Sequence, residues 1–157
     1  MHGQMSSFRV DFMSIQQTEE IPGKVGSLAE ILQAVLLELR RRVPYIRGSA
    51  IVDKSGLPMA SDLPPKINVM MVTAMSALAM QSCSNVAANL GLEPTDRVVT
   101  ESKDAIVVVK SIAGGTASLF AMMSGEVDRE LAVKELDQAV YEAEEILGAH
   151  HVLKRDN

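Results

Sequence analysis

Apolar residues first recur with a helical period after a mixed, polar start to the chain. Ser27 and Glu30 have the spacing of a capping box, which favours the start of a helix at this point. The apolar stripe that follows consists of Leu28, Ile31, Leu32, Val35, Leu36 and Leu39. Because a residue before proline avoids helical angles, the pattern predicts a first helix that ends near Val43, before Pro44.

A hairpin is predicted next, between residues 45 and 61. A short apolar run that includes Ala50, Ile51 and Val52 forms its first strand. The strands are joined by the turn Asp53-Lys54-Ser55-Gly56, in which Asp favours the first position and Gly accepts a positive φ. Residues 57–61 return as the second strand, and two prolines then fix the approach to the next element.

The stretch from Ile67 to Leu92 contains no Asp, Glu, Lys or Arg, and Gly91 is placed to end a helix there. On a helical wheel, the face predicted to pack on the sheet holds Val72, Ser76, Ala79, Cys83, Val86 and Leu90. The opposite face holds Met70, Ala74, Ala77, Gln81, Ser84 and Ala88. A helix that covered only its own sheet would carry charge on its back. We therefore predict that a second protein surface covers this back.

A membrane span is the rival interpretation of this stretch, since about 20 apolar residues cross a bilayer. Its polar residues make it too polar for that role: they are Asn68, Thr73, Ser76, Gln81, Ser82, Ser84, Asn85 and Asn89. We expect no direct insertion into a membrane.

Three strands are predicted between residues 97 and 123. They cover residues 97–102, 105–112 and 116–123, and the second contains a continuous β-branched run that is typical of a strand that is covered on both faces or central in its sheet. Lys103-Asp104 and Gly114-Gly115 form short turns between them. The pattern predicts a meander.

The last element is a helix that Asp128 caps and Gly148 ends, near Leu147. Its buried stripe consists of Leu136, Val140, Ala143 and Leu147. The other side is predicted to be a solvated acidic face with Glu135, Gln138, Glu142 and Glu145.

Together these elements predict an α+β domain at residues 27–148, with a five-stranded antiparallel sheet and three helices. Residues 1–26 form an N-terminal extension and linker, in which Phe8, Val10 and Phe12 alternate as in a short strand. Residues 149–157 form a C-terminal tail.

Composition narrows the classes of function. The 157 residues suit one domain. A net charge of −5 with 3% aromatic residues disfavours binding to nucleic acid, which needs basic groups and stacking platforms. A single cysteine, Cys83, and a start without signal-peptide character make the cytoplasm the expected compartment.

Motifs for chemistry are missing from the sequence. It has neither G-x-x-x-x-G-K-[ST] nor G-x-G-x-x-G, and the histidines, His2, His150 and His151, lie in the terminal tails. Cys83 projects from an uncharged helix, where we expect a neutral thiol that packs as a small buried hydrophobe. We predict no catalytic, cofactor or metal site, and hence no enzyme.

Residues 48–60, GSAIVDKSGLPMA, resemble the first hairpin of the Roadblock family, which is related to the dynein light chain of that name. The uncharged helix that ends at Gly91-Leu92, followed by residues 97–101 and 106–109, continues the likeness from about Leu28 to Leu147. The resemblance implies a homodimer or related heterodimer, in which the middle strand region and the long helix meet across a two-fold axis. It also implies a role with Ras-like small GTPases. Single-domain bacterial and archaeal members look most similar, including polarity proteins that stimulate GTP hydrolysis by a partner.

The candidate dimer-interface residues are Met70, Ala74, Ala77, Gln81, Ser84, Ala88, Val98 and Thr100. Two other functions remain open, namely a trafficking or scaffold adaptor of longin or profilin-like architecture and a sensor of a small ligand. The resemblance identifies no catalytic arginine. Arginines that could act on a partner are Arg40, Arg41, Arg42, Arg47 and Arg97, and the first three are explained by their favourable position at a helix C-terminus.

Overall fold

The computed structural model describes residues 26–155, and the alternating segment at Phe8, Val10 and Phe12 lies outside that range. The helices are α1 (Leu28–Arg42), α2 (Val69–Asn89) and α3 (Arg129–Arg155). The strands are β1 (Ile46–Asp53), β2 (Pro58–Asp62), β3 (Arg97–Glu101), β4 (Ala105–Ile112) and β5 (Ala117–Ser124). The predicted α+β fold is confirmed.

All five strands pair antiparallel in the order β2-β1-β5-β4-β3. The meander of β3, β4 and β5 is confirmed, and β4 lies between two neighbours as its β-branched run predicts. β2 and β3 form the two edges of the sheet.

Side chains cap the three helices at their N-termini, as the sequence predicts for α1 and α3. Ser27 Oγ accepts from the Glu30 amide at 3.2 Å, and Asp128 Oδ1 accepts from the Leu131 amide at 3.2 Å. Asn68 Oδ1 accepts from the Met71 amide at 3.1 Å and so caps α2.

Gly91 ends α2 with a Schellman motif. Its φ of 71° is in the left-handed region, where glycine has no Cβ to clash. The Leu92 amide donates to the Ala87 carbonyl at 2.9 Å, and the Gly91 amide donates to the Ala88 carbonyl at 3.1 Å.

The larger core lies on the side of the sheet that α1 and α3 cover. α1 packs on β2, β1 and α3, and α3 packs on β4. Fully buried aliphatic side chains such as Leu36, Ile51 and Leu119 fill the layer.

The smaller core lies on the opposite side, beneath α2. Ala50, Val52, Val109 and Phe120 form it. Partly buried residues, Met80 of α2 among them, pack against this cluster. α2 is nevertheless shallowly seated, because the only side chains it buries are Thr73 and Ser76.

Two predicted boundaries are wrong. α3 does not stop at Gly148 but continues to Arg155. One glycine inside a helix costs only about 1 kcal/mol, and Lys154 and Arg155 suit the helix C-terminus. The turn at Gly114 is also wider than two residues, since Ala113, Gly114 and Gly115 all have positive φ.

The predicted acidic face of α3 is wrong at Glu135 and Glu142, which are buried, with 9% and 8% of their surface exposed. Arg42 of α1 reaches both carboxylates, at 3.5 Å and 3.4 Å. Burying a charged group costs less free energy when an opposite charge lies beside it than when it is isolated. The ion pairs with Arg42 therefore allow Glu135 and Glu142 to face α1 rather than solvent.

Candidate interaction surface

The outward face of α2 is a large exposed apolar surface. We define this α2 outer face by five residues that are each more than half exposed: Met70, Met71, Met75, Leu78 and Val86. No charged residue interrupts it, since the whole helix has none. Contiguous apolar patches of this kind mark sites of association in soluble proteins.

The side of α2 that faces the sheet differs from the predicted one. Cys83 is exposed, and Val86 and Leu90 are 60% and 68% exposed, although all three were expected to face inward. The expectation that Cys83 packs as a buried hydrophobe is therefore wrong. Thr73 and Ser76 are buried in place of larger apolar side chains.

Local hydrogen bonds explain how two hydroxyls come to be buried. Thr73 Oγ1 donates to the Val69 carbonyl at 3.0 Å, and Ser76 Oγ donates to the Val72 carbonyl at 2.7 Å. Each hydroxyl thus has a hydrogen-bond acceptor in the preceding turn of its own helix. Because α2 is apolar or small on all sides, hydrophobicity alone does not fix which side turns inward.

The structure divides the predicted interface residues into two groups. Met70, Ala74, Gln81, Ala88 and Thr100 are exposed. The other three, Ala77, Ser84 and Val98, are half-buried, and Ala77 and Val98 pack against the smaller core of their own domain. Their role in a dimer stays a prediction. The sequence reasoning missed Met71, Met75 and Leu78, and no signal in an uncharged helix could have found them.

The exposed surface continues from α2 to the edge strand β3. Four of the five residues of β3 are exposed, Thr100 among them, and α2 contacts this strand. An edge strand leaves a row of backbone donors and acceptors unpaired, which favours pairing with another chain.

A groove of about 360 Å³, with both polar and apolar lining residues, lies between the second half of α2 and two turns of the sheet. Gln81 and Ser84 line it from α2, and Asp53, Lys54 and Thr116 line it from the turns. The carboxylate of Asp53 already has hydrogen-bond partners within its own turn. Its Oδ1 accepts from the Ser55 and Leu57 amides, both at 2.9 Å. Burial tends to raise the pKa of Asp53, but these hydrogen bonds outweigh it and lower the pKa below its usual value.

The arginines occupy three kinds of environment. Arg40 lies 3.1 Å from Asp62, and Arg41 pairs with Glu38. Arg42 is buried against α3. The remaining two, Arg47 and Arg97, are exposed, and neither has an ion pair within residues 26–155.

Other kinds of site were sought in the same part of the chain. Within residues 26–155 no group of three or more His, Cys, Asp or Glu side chains is placed to hold a metal ion. α2 is long and apolar enough to cross a membrane by length and composition, but its polar residues make it an unconvincing span.

Comparison with known proteins gives relatives of similar fold. The chain is 33% identical over 73 residues to the uncharacterized protein MJ0310 of Methanocaldococcus jannaschii, a match that covers 46% of this chain and 63% of that protein. The chain thus spans less than two thirds of the length of this relative.

Two solved structures share the architecture. MglB of Myxococcus xanthus superposes with a TM-score of 0.71 and 16% identity, covering 75% of this chain and 88% of that chain. A structure described as MglB with tetrameric arrangement gives a TM-score of 0.69 and 18% identity, covering 77% of this chain and 90% of that chain. At these identities the likeness shows the fold.

The family assignment comes from the sequence. The Roadblock/LC7 domain model matches residues 32–117, which is more than half of the chain and runs from α1 to the start of β5. The observed element order and the antiparallel sheet agree with the resemblance that the hairpin and the long helix show. The chain belongs to the Roadblock/LC7 family.

Proposed function

We propose that this protein is a cytoplasmic, non-enzymatic homodimer that binds a Ras-like small GTPase and regulates or scaffolds it. The observation that carries the proposal is the α2 outer face, whose five apolar side chains are each more than half exposed in the single chain. Such a surface is stabilised when another protein surface removes it from water, by about 25 cal/mol per Å² of buried apolar area.

A second copy of the chain suits this surface because of the charge distribution. Each chain carries a net charge of −5, so two copies repel each other on average. α2 contains none of the charged residues, and two α2 helices can therefore meet without desolvating like charges. The adjacent edge of β3 allows strand pairing across the same two-fold axis. The tetrameric arrangement described for MglB supports self-association in proteins of this fold.

The GTPase part of the proposal rests on membership of the family. The resemblance to single-domain Roadblock proteins implies a role with Ras-like GTPases, and MglB proteins share the fold of this chain. The chain has no phosphate-binding loop of its own, so any GTP hydrolysis would take place on the partner.

The dimer is tested by Leu78→Glu, with Leu37→Glu as the matched control. Leu78 and Leu37 are similarly exposed, at 56% and 51%, but Leu37 lies on α1, on the opposite side of the sheet. We expect light scattering to give a dimer mass for the natural chain and for L37E. For L78E we expect the monomer mass, because a carboxylate would have to be buried unpaired in the contact.

A dimer that persists in L78E would contradict the placement of the interface on α2. The interaction with a GTPase is tested separately, by incubating the natural chain with Ras-like GTPases loaded with GTP. We expect co-elution in gel filtration and altered nucleotide turnover. If every tested GTPase elutes alone with unchanged turnover, the GTPase part of the proposal is wrong while the dimer stands.

A further inference from the structure

An apolar groove lies on the side of the sheet opposite α2, next to β3. Two helices cover this side, and their packing leaves one strand open: α1 lies on β2 and β1, α3 lies on β4, and neither packs extensively on β3. The open space has a volume of about 290 Å³. We call it the β3 groove.

The β3 groove has an apolar floor and a charged rim. Val99 of β3 and Val133 of α3 face each other across it and are 48% and 42% exposed. Arg97 and the ion pair between Arg129 and Glu101 form the rim. Val99 and Val133 thus leave an apolar surface open at the margin of the larger core.

We propose that residues 8–12 of the same chain occupy the β3 groove as an extended segment. The sequence there is Phe8-Arg9-Val10-Asp11-Phe12. In an extended chain successive side chains point to opposite sides, so two phenylalanines and a valine face one way, while Arg9 and Asp11 face the other. This pattern matches a groove with an apolar floor and a polar, open mouth.

The connection to α1 is long enough for this arrangement. The last residue of α1, Arg42, contacts Glu135 and Glu142, so α1 ends beside the first half of α3. Gly26 therefore lies at the opposite end of α1, about 22 Å from there for a 15-residue helix. To reach the groove, the chain must also pass across α3, which is about 10 Å wide.

Thirteen residues separate Phe12 from Gly26, and such a linker spans up to about 45 Å. This exceeds the distance required within one chain. Removing the side chains of Phe8, Val10 and Phe12 from water is favourable, and the β3 groove offers an open apolar surface next to the sheet edge.

The first test measures whether the groove is covered. Cys83 is changed to Ser so that Val133→Cys is the single thiol, and the rate of its reaction with a thiol reagent is followed. We expect Phe8→Ser with Phe12→Ser to speed labelling at least tenfold. The control pair Gln16→Ser with Gln17→Ser should leave the rate unchanged. Equal rates in all three proteins would overturn the proposal, and Val99→Cys serves as the probe if V133C fails to fold.

The second test identifies which chain supplies the segment. Val10→Cys and Val133→Cys, again with Cys83→Ser, are oxidised in an equal mixture of isotopically light and heavy protein, with Gln17→Cys and Val133→Cys as the control pair. We expect a disulfide within one chain for the first pair and little for the control. Mixed light and heavy disulfides would show that a second copy supplies the segment, and no disulfide would overturn the docking itself. Because the groove lies opposite α2, the same results are expected in L78E, so this proposal and the dimer fail independently.

Discussion

At the residue scale, the most consequential charge in the protein is the guanidinium of Arg42. It is 7% exposed and contacts Glu135 and Glu142 of α3, and Glu38 of its own helix lies 3.5 Å away. The interaction joins α1 to α3 over the larger core. Burial of these carboxylates is tolerated because the guanidinium of Arg42 pairs with them.

Arg42→Ala should therefore destabilise the fold by about 3–5 kcal/mol, since it leaves buried carboxylates without a counter-charge. Arg41→Ala, which removes the neighbouring but exposed guanidinium, should change the free energy of unfolding little. Urea unfolding of both variants measures the difference. If R42A unfolds at the same urea concentration as R41A, the network does not stabilise the protein.

The turn between β1 and β2 predicts a dependence on pH. Hydrogen bonds from Ser55 and Leu57 lower the pKa of Asp53 in the folded state, although burial opposes them. A lowered folded pKa means that the carboxylate contributes stability above its unfolded pKa of about 3.9 and loses it as the pH falls through the folded value.

Asp53→Asn keeps an oxygen acceptor but removes the charge, so it isolates this contribution. We expect the natural chain to be more stable than D53N at pH 7, and the difference to shrink as the pH falls below the unfolded pKa of about 3.9. Urea unfolding of both proteins across that range provides the measurement. A difference that is as large at pH 3 as at pH 7 would show that the charge of Asp53 has no part in it.

At the element scale, the features that could be predicted from sequence depend on residues close together in the chain. The Ser27 and Asp128 caps, the turn at Gly56 and the stop at Gly91 each involve a few neighbouring residues, and the structure has them where the pattern placed them. Their interactions are local, so the local sequence determines them.

Features that depend on long-range contacts were not predictable in the same way. Glu135 and Glu142 look like solvent-facing residues of an acidic helix, and only the approach of Arg42, about a hundred positions away, makes their burial possible. The inward side of α2 was also misjudged in part, because Thr73, whose hydroxyl donates within the helix, is buried, whereas Cys83 and Val86 are exposed. The sequence therefore indicated an exposed uncharged face on α2 but did not identify all of its residues, and the role of this face as an interface stays a prediction.

Two glycines give a paired prediction about helix ends. Gly91 has a φ of 71°, so Gly91→Ala should destabilise the protein by about 1–2 kcal/mol through a left-handed alanine. Gly148 lies inside α3, and a Cβ added there meets nothing within 4 Å. Gly148→Ala should therefore stabilise the helix by about 0.5–1 kcal/mol.

Thermal unfolding followed by circular dichroism separates the two effects, since the melting temperature should fall for G91A and rise for G148A. Equal shifts of the same sign would mean that backbone conformation at these two positions does not determine the outcome.

At the scale of the whole molecule, the two sides of the sheet have different characters. The side with α1 and α3 holds the larger core and the buried ion pairs. The helix on the other side, α2, is uncharged and shallowly packed. This asymmetry leaves one side suited to stable folding and the other to association, which agrees with a module whose activity depends on partners.

The arginines allow a test of how a bound GTPase would be affected. An arginine inserted into a partner's active site can raise hydrolysis by about 10³ to 10⁵. Arg40 and Arg41 are held by acidic neighbours, and Arg42 is buried. Arg47 and Arg97 are exposed but lie in strands of the sheet rather than on a projecting loop.

We therefore expect any stimulation to arise from a docked surface that favours the competent arrangement of the GTPase switch segments. Single Arg→Ala variants at positions 40, 41, 47 and 97 should lose at most about tenfold in stimulated rate, and saturating protein should restore it, because only binding is weakened. Turnover measured against protein concentration distinguishes binding from catalysis. A variant that binds the GTPase normally but loses about a thousandfold at saturation would identify a catalytic arginine and rule out the docking mechanism.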